Sequence, residues 1–135
     1  MEQYEWMLPT ERSVVSDIES LLRSVPAVEE LSPERRFNAI VAAMEAITNA
    51  VIHGNRSDGS KKIKLRVEVH DDEIRIYVRD YGSGFDPDVL PDPRLKENLL
   101  REGGRGVFLM RSLVDDVAFV PDEPGTEVIL TIKRY

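Results

Sequence analysis

Hydrophobic spacing changes period along the chain, and each change predicts an element. After a short extended start, Tyr4 to Leu8, the residues Val14, Val15, Ile18, Leu21, Leu22 and Val25 recur at helical spacing with charges opposite them, closed by Pro26. A second helix opens at Ser32-Pro33-Glu34, a cap, a first-turn proline and a first-turn acid, and the pattern carries it to Gly54. Its stripe is Phe37, Ile40, Val41, Met44, Ile47 and Val51, while Ala39, Ala43, Ala46 and Ala50 form a second face that is small rather than polar. Such a helix packs over most of its circumference. Asn38, Glu45 and Asn49 fall within about 40° of one another, a narrow polar line beside the stripe. Glu45 and Asn49 are one turn apart and reach a common point.

The period then becomes two. Ile63, Leu65, Val67 and Val69 alternate with Lys62, Lys64, Arg66 and Glu68, and Asp71-Asp72 turns this strand into another that carries Ile74, Ile76 and Val78. From Asp86 to Glu102, prolines, acids and scattered leucines predict an irregular, mobile segment with one short helix. Gly103-Gly104-Arg105-Gly106 leads into a helical pattern of Val107, Leu109, Met110, Leu113 and Val114. Two final strands, Val117 to Val120 and Glu127 to Ile132, are joined by the turn Pro121 to Gly125. The order predicts a single α+β domain over residues 1–135: a two-layer sandwich whose mixed, mostly antiparallel sheet is covered on one face by helices.

Asp80 breaks the pattern. Strict alternation after Ile74, Ile76 and Val78 sends it to the apolar face, where a carboxylate is costly unless something satisfies it. Gly82 and Gly84 follow at once, a spacing that lets backbone approach a partner closely. A polar ligand is therefore expected at the end of this strand. Taken singly, each feature also has a plainer reading: Asp80 as a turn former, Glu45 with Asn49 as a solvated helix edge, and Gly103 to Gly106 as a loop. Together they lie in an order that surrounds one nucleotide. Asn49 offers a carbonyl oxygen suited to Mg²⁺, and Glu45 beside it can take a proton from an attacking hydroxyl.

Composition narrows the partners. With 18 basic and 25 acidic residues the chain carries −7, which argues against direct nucleic-acid binding or an anionic membrane surface yet leaves room for a phosphate held by backbone amides. Cysteine is absent, which removes disulfide and thiolate chemistry. No apolar run approaches the roughly 20 residues of a membrane span, and residues 1–30 are broken by charges, so a cytoplasmic, membrane-free protein is expected. No Gly-Lys-Ser/Thr follows a glycine run, and a dinucleotide turn would need strand, glycines and helix to be contiguous. The Asp80 region lacks the oxygen ligands of a calcium loop. His53 and His70 lie on different elements without companion metal ligands.

At these positions the chain resembles the Bergerat-fold ATPases, the superfamily of gyrase, histidine kinases, MutL and a heat-shock chaperone. EAITNAVIHGN, residues 45–55, is similar to its N box; DYGSGFD, 80–86, to its first glycine box; GGRGVFLM, 103–110, to its second; and Gly125-Thr126 to its last. Within the superfamily the wording most resembles the bacterial anti-sigma-factor serine kinases. That resemblance implies ATP and Mg²⁺ as cofactors, a STAS-domain anti-anti-sigma protein as substrate, a sigma factor as second partner, and a homodimer. Trp6, Met7 and Leu8 offer either an apolar edge for the dimer or a cover for this domain's own sheet.

By position, the resemblance makes Glu45 the general base, Asn49 the Mg²⁺ ligand and Asp80 the acceptor for the adenine amino group. It gives the remainder of the nucleotide pocket to His53, Gly82, Gly84, Phe85, Gly103, Gly104, Arg105, Gly106, Val107 and Thr126, with a lid over about residues 86–106. As a local cation in that lid, Arg105 has two readings, one that reaches the γ-phosphate and one of an exposed lid arginine. Two other functions stay open at this stage: a nucleotide-binding switch without turnover, and a binding domain without nucleotide.

Overall fold

The structure, a computed structural model, describes residues 1–82 and 103–135, with side chains in the second stretch from residue 106 onward. Expectations for Gly84, Phe85, the segment 86–102 and the Arg105 side chain lie outside the described residues.

Strand β1 (Glu2–Pro9) leads through a 3₁₀ turn (Arg12–Asp17) into α1 (Ile18–Arg23), the short α2 (Pro26–Glu29) and the long α3 (Pro33–Asn49). A π-helical turn (Ala50–Gly54) extends α3, followed by β2 (Lys62–Val69), β3 (Glu73–Arg79), α4 (Gly103–Leu113), β4 (Asp116–Pro121) and β5 (Thr126–Lys133). The sheet order is β1-β2-β3-β5-β4, and every pair of described neighbours is antiparallel, where the sequence predicts a mixed, mostly antiparallel sheet.

The alternation read from the sequence sets the register. One row crosses the whole sheet through Trp6, Leu65, Val78, Val128 and Phe119, all on the helix side. Ile63, Leu65, Ile74, Ile76 and Leu130 from the strands and Ile18, Leu22, Ile47 and Met110 from the helices are fully enclosed. The opposite face carries charge and hydroxyl pairs instead: Lys64 Nζ lies 3.2 Å from Glu5, Tyr77 donates to Glu68 Oε1 at 2.9 Å, and the Arg66 guanidinium sits 4.0 Å above the Tyr77 ring.

Three local expectations change. The stretch from Val14 to Val25 is not one helix: its first turn is 3₁₀, and Pro26 starts α2, where a missing N–H costs nothing. Phe37 does not join the core but stands 65 % exposed. The buried side of α3 and its π extension runs from Ile40, Ile47 and Val51 of the stripe onto Ala39, Ala42, Ala43 and Ala46, all four alanines at zero exposure, because small side chains let the helix lie close against its neighbours. The glycines 103 to 106 belong to the first turn of α4 rather than to a preceding loop. Trp6 and Leu8 turn inward while Met7 faces out, so the expected apolar edge is divided between two faces.

Candidate nucleotide site

The site occupies one end of the helix layer and is built on α3. Ser32 caps this helix by accepting from Arg35 N, and the helix runs uninterrupted until Asn49. There the hydrogen-bond period lengthens: Asn55 N donates to Ala50 O at 2.8 Å, the five-residue closure of a π turn. Glu45 and Asn49 thus stand on the last α turn, His53 and Gly54 on the π turn.

Glu45 and Asn49 share a neighbour. A methyl group on Gly106 would lie 2.9 Å from Glu45 Oε2 and 3.4 Å from both terminal atoms of Asn49, so α4 approaches α3 here through the absence of a side chain. Asn49 is 5 % exposed, and its Nδ2 is buried without a hydrogen-bond partner among the described residues. An amide left so costs about 1–3 kcal/mol, which a ligand oxygen would recover. Val107, next along α4, is buried in the core.

Asp80 ends the other side of the site. It is 4 % exposed, on the apolar side of the sheet as its parity predicted. Its Oδ1 accepts from Gly82 N at 3.0 Å, and its own N–H donates to Thr126 O at 3.0 Å. Burial raises its carboxyl above the usual Asp value; amides at Gly82 and Thr126 and the charges of Arg79 and Lys61 pull the other way and do not cancel it.

Glycines make that burial possible. A Cβ on Gly54 would strike the Asp80 carboxylate, one on Gly82 would strike the Gly54 carbonyl, and one on Gly125 would strike the Asp80 main chain. Gly125 also adopts φ of 106°, outside the range of ordinary L residues. Thr126, 3 % exposed, begins β5 beside it.

The structure therefore brings Glu45, Asn49 and Gly106 together at one end, and Asp80, Gly82 and Thr126 at the other. The stretch of α3 and π turn between Glu45 and Gly54 separates them by roughly 13 Å at the α-helical rise, the scale of an extended nucleoside triphosphate. His53 is half-buried on the π turn, and Gly103 and Gly104 lie in the first turn of α4. Sequence reasoning gave no site role to Gly54, which it used as a helix end, or to Asn55 and Thr10. Gly54 had a signal, as a glycine adjoining a polar helix line. Asn55 closes the stretch similar to the N box but was given no role there, and Thr10 had no signal, since only tertiary structure buries the two.

Oxygen donors fit the site to a hard cation. Glu45 offers a carboxylate and Asn49 an amide oxygen, while the described residues hold no cluster of three or more His, Cys, Asp or Glu side chains able to bind a metal unaided. Mg²⁺ suits such sparse protein ligation because it shares its coordination with phosphates.

Comparisons with known proteins give the family. The sequence profile of the histidine kinase-like ATPase domain matches residues 8–132. The chain is similar to the serine-protein kinase RsbW of Staphylococcus aureus, 33% identical over 134 residues that cover 94% of this chain and 84% of that one. It is similar to the same-named kinase of Staphylococcus epidermidis, 36% identical across 97% of this chain and 85% of that one. Among solved structures, the RsbU and RsbW domains of a Mycobacterium tuberculosis protein superpose with a TM-score of 0.70 at 19% identity, covering 98% of this chain and 32% of that chain. The histidine kinase domain of an Erythrobacter litoralis blue-light activated histidine kinase gives a TM-score of 0.58 at 20% identity, covering 93% of this chain and 61% of that chain. At these identities the two structures speak to the fold alone. No helix among the described residues is long and apolar enough to cross a membrane.

Proposed function

Because the chain belongs to the histidine kinase-like ATPase domain family, matched over residues 8–132 and with RsbW kinases among its relatives, we propose that it is an ATP-dependent protein serine kinase and anti-sigma factor. It phosphorylates a STAS-domain anti-anti-sigma protein and sequesters a sigma factor, each partner displacing the other's effect. The observation that carries the reading is the placement of Glu45 and the buried, unpaired Asn49 amide against Gly106, with an enclosed Asp80 at Gly54, the far end of the π turn.

The chemistry follows from those positions. Asp80 accepts a hydrogen bond from the adenine amino group, which offsets part of the cost of its burial. Gly82 and Thr126 line the base end, and the first turn of α4, from Gly103 to Gly106 and including Arg105, wraps the phosphates. Glu45 removes the proton from the acceptor serine hydroxyl as its oxygen bonds to the γ-phosphorus, the β–γ bridging oxygen leaves, and ADP departs. Asn49 would hold Mg²⁺, which supplies charge neutralisation between the phosphates when bound. The protein otherwise contributes position, since the transferring phosphoryl group needs alignment and charge rather than covalent help. Among the described residues strand β1 is an edge of the sheet with Met7 54 % exposed on it, the surface for association of two copies.

Labelled phosphate from ATP should pass to a serine of a STAS-domain protein with wild type and not with Glu45→Gln. ATP binding with no transfer to any such protein would leave a nucleotide switch; absence of ATP binding would remove the reading entirely.

A further inference from the structure

Asn55, directly after the π turn, is 1 % exposed, and its amide makes three hydrogen bonds, each to a different part of the chain. Its Nδ2 donates to Thr10 Oγ1 at 2.8 Å and to Lys62 O at 3.0 Å, which reach it from the end of β1 and the start of β2. Its Oδ1 accepts from Tyr81 N at 2.8 Å, the residue between Asp80 and Gly82. Thr10, 4 % exposed, is itself fixed by donating to Lys61 O at 2.7 Å. The backbone beyond Asn55 is held in an uncommon shape, Arg56 and Ser57 both having positive φ of 50° and 59°. A residue so placed sets where the strand exit runs. Gly54, the preceding residue, already touches both Asp80 and Gly82, so the same segment fixes the Asp80 pocket from its side-chain and its backbone side.

We infer that Asn55 is a positioning residue for base selection: through Tyr81 N it holds the Asp80–Gly82 exit in the place where the Asp80 carboxylate meets the base, and Thr10 clamps it there. This rests on the nucleotide reading given above. Nothing in the arrangement touches the phosphate end, so the effect falls on nucleotide affinity and on the choice between adenine and guanine. Loss of the amide leaves Tyr81 N and Thr10 Oγ1 to find other partners in a buried place, and the strand exit shifts. A guanine, which presents a carbonyl where adenine presents its amino group, gains or loses little from that shift because it never paired with Asp80.

The test is the dissociation constant of ATP and of GTP, with Mg²⁺, for wild type, Asn55→Ala, Thr10→Val, Thr10→Ser and Asp80→Asn. Asn55→Ala should weaken ATP about tenfold while GTP changes little, so that the ATP-to-GTP preference collapses; Thr10→Val should do the same about threefold, and Thr10→Ser should restore wild-type values. A purely structural role would lower the folded fraction and weaken both nucleotides alike, leaving the preference intact. Should Asn55→Ala fail to fold, the Thr10 pair decides the matter. An unchanged preference in the folded variants, while Asp80→Asn loses it, overturns the inference alone. A wild type that binds no ATP, or an Asp80→Asn that binds it normally, overturns the nucleotide reading and this inference with it.

Discussion

The two ends of the site differ in how completely the chain itself finishes them. Around Asp80 the polar groups meet protein partners: Gly82 N and Thr126 O are bonded to it, Asn55 holds Tyr81, and Gly54, Gly82 and Gly125 close the space. Around Glu45 the chain stops short in hydrogen bonding rather than in packing: the Asn49 amide is buried and unpaired, while α4 comes so close that Gly106 has no room for a side chain beside the Glu45 carboxylate. One end is built in advance for a fixed, planar group. The other keeps unmet hydrogen-bonding capacity for a charged group that arrives, reacts and leaves. Preorganisation at the base and openness at the phosphates is the division a phosphoryl-transfer site requires.

Substitutions at the two ends should therefore separate binding from turnover. Glu45→Gln has the largest expected effect, lowering phosphoryl transfer about 10²- to 10⁴-fold with ATP affinity nearly unchanged; single-turnover kinetics with the labelled nucleotide checks it. Gly106→Ala places a methyl 2.9 Å from Glu45 Oε2 and should displace the base, reducing turnover about 10²-fold while thermal unfolding moves little, since a side-chain end can yield. Equal losses of affinity and turnover in either variant would erase the distinction between the ends.

At the base end the order of effects reverses. Gly54→Ala drives a methyl into the Asp80 carboxylate, enclosed by backbone, and should cost about 1–3 kcal/mol of stability, read from denaturant unfolding, together with most ATP affinity. Asp80→Asn should weaken ATP binding by about 1–3 kcal/mol in calorimetry without slowing transfer at saturating ATP. It should also alter the pH dependence of folding. Burial raises the folded-state pKa of Asp80, so the folded chain holds this proton more tightly than the unfolded one. Its ionisation then removes stability as pH climbs from the ordinary Asp value of 3.8 through the raised value, and the loss is complete above that point. Asp80→Asn lacks this loss, so its unfolding temperature relative to wild type should rise across that interval and then level off. A constant difference would mean that Asp80 is not perturbed.

Much of this contrast is written in the sequence, but unevenly. The parity of Ile74, Ile76 and Val78 placed Asp80 on the apolar face, and a one-turn spacing placed Glu45 beside Asn49; both are consequences of backbone period and survive folding unchanged. Phe37 shows where the same logic fails. Its spacing fits the stripe, and Ile40, Ile47 and Val51 of that stripe are buried, yet Phe37 is left outside because burial shifts toward the alanines, whose closeness of approach no hydropathy pattern contains. The left-handed Arg56 and Ser57 carry no glycine or proline to announce them, and the π turn before them reads as ordinary helix up to Gly54. Asn55 and Thr10 read as surface polars until β1, β2 and the end of β3 are brought together around them. Local period is legible in a single chain; burial of polar groups by distant segments is not.

The central claim is that one nucleotide joins the finished end to the open one. Its most direct measurement is a crystal structure of the protein with Mg²⁺ and a non-hydrolysable ATP analogue. The account predicts the adenine amino group within hydrogen-bonding distance of the Asp80 carboxylate and the triphosphate over Glu45, Asn49 and Gly106, with the Asn49 amide no longer unpaired. An analogue bound elsewhere, or one whose phosphates lie at Asp80 and whose base lies at Glu45, would contradict it.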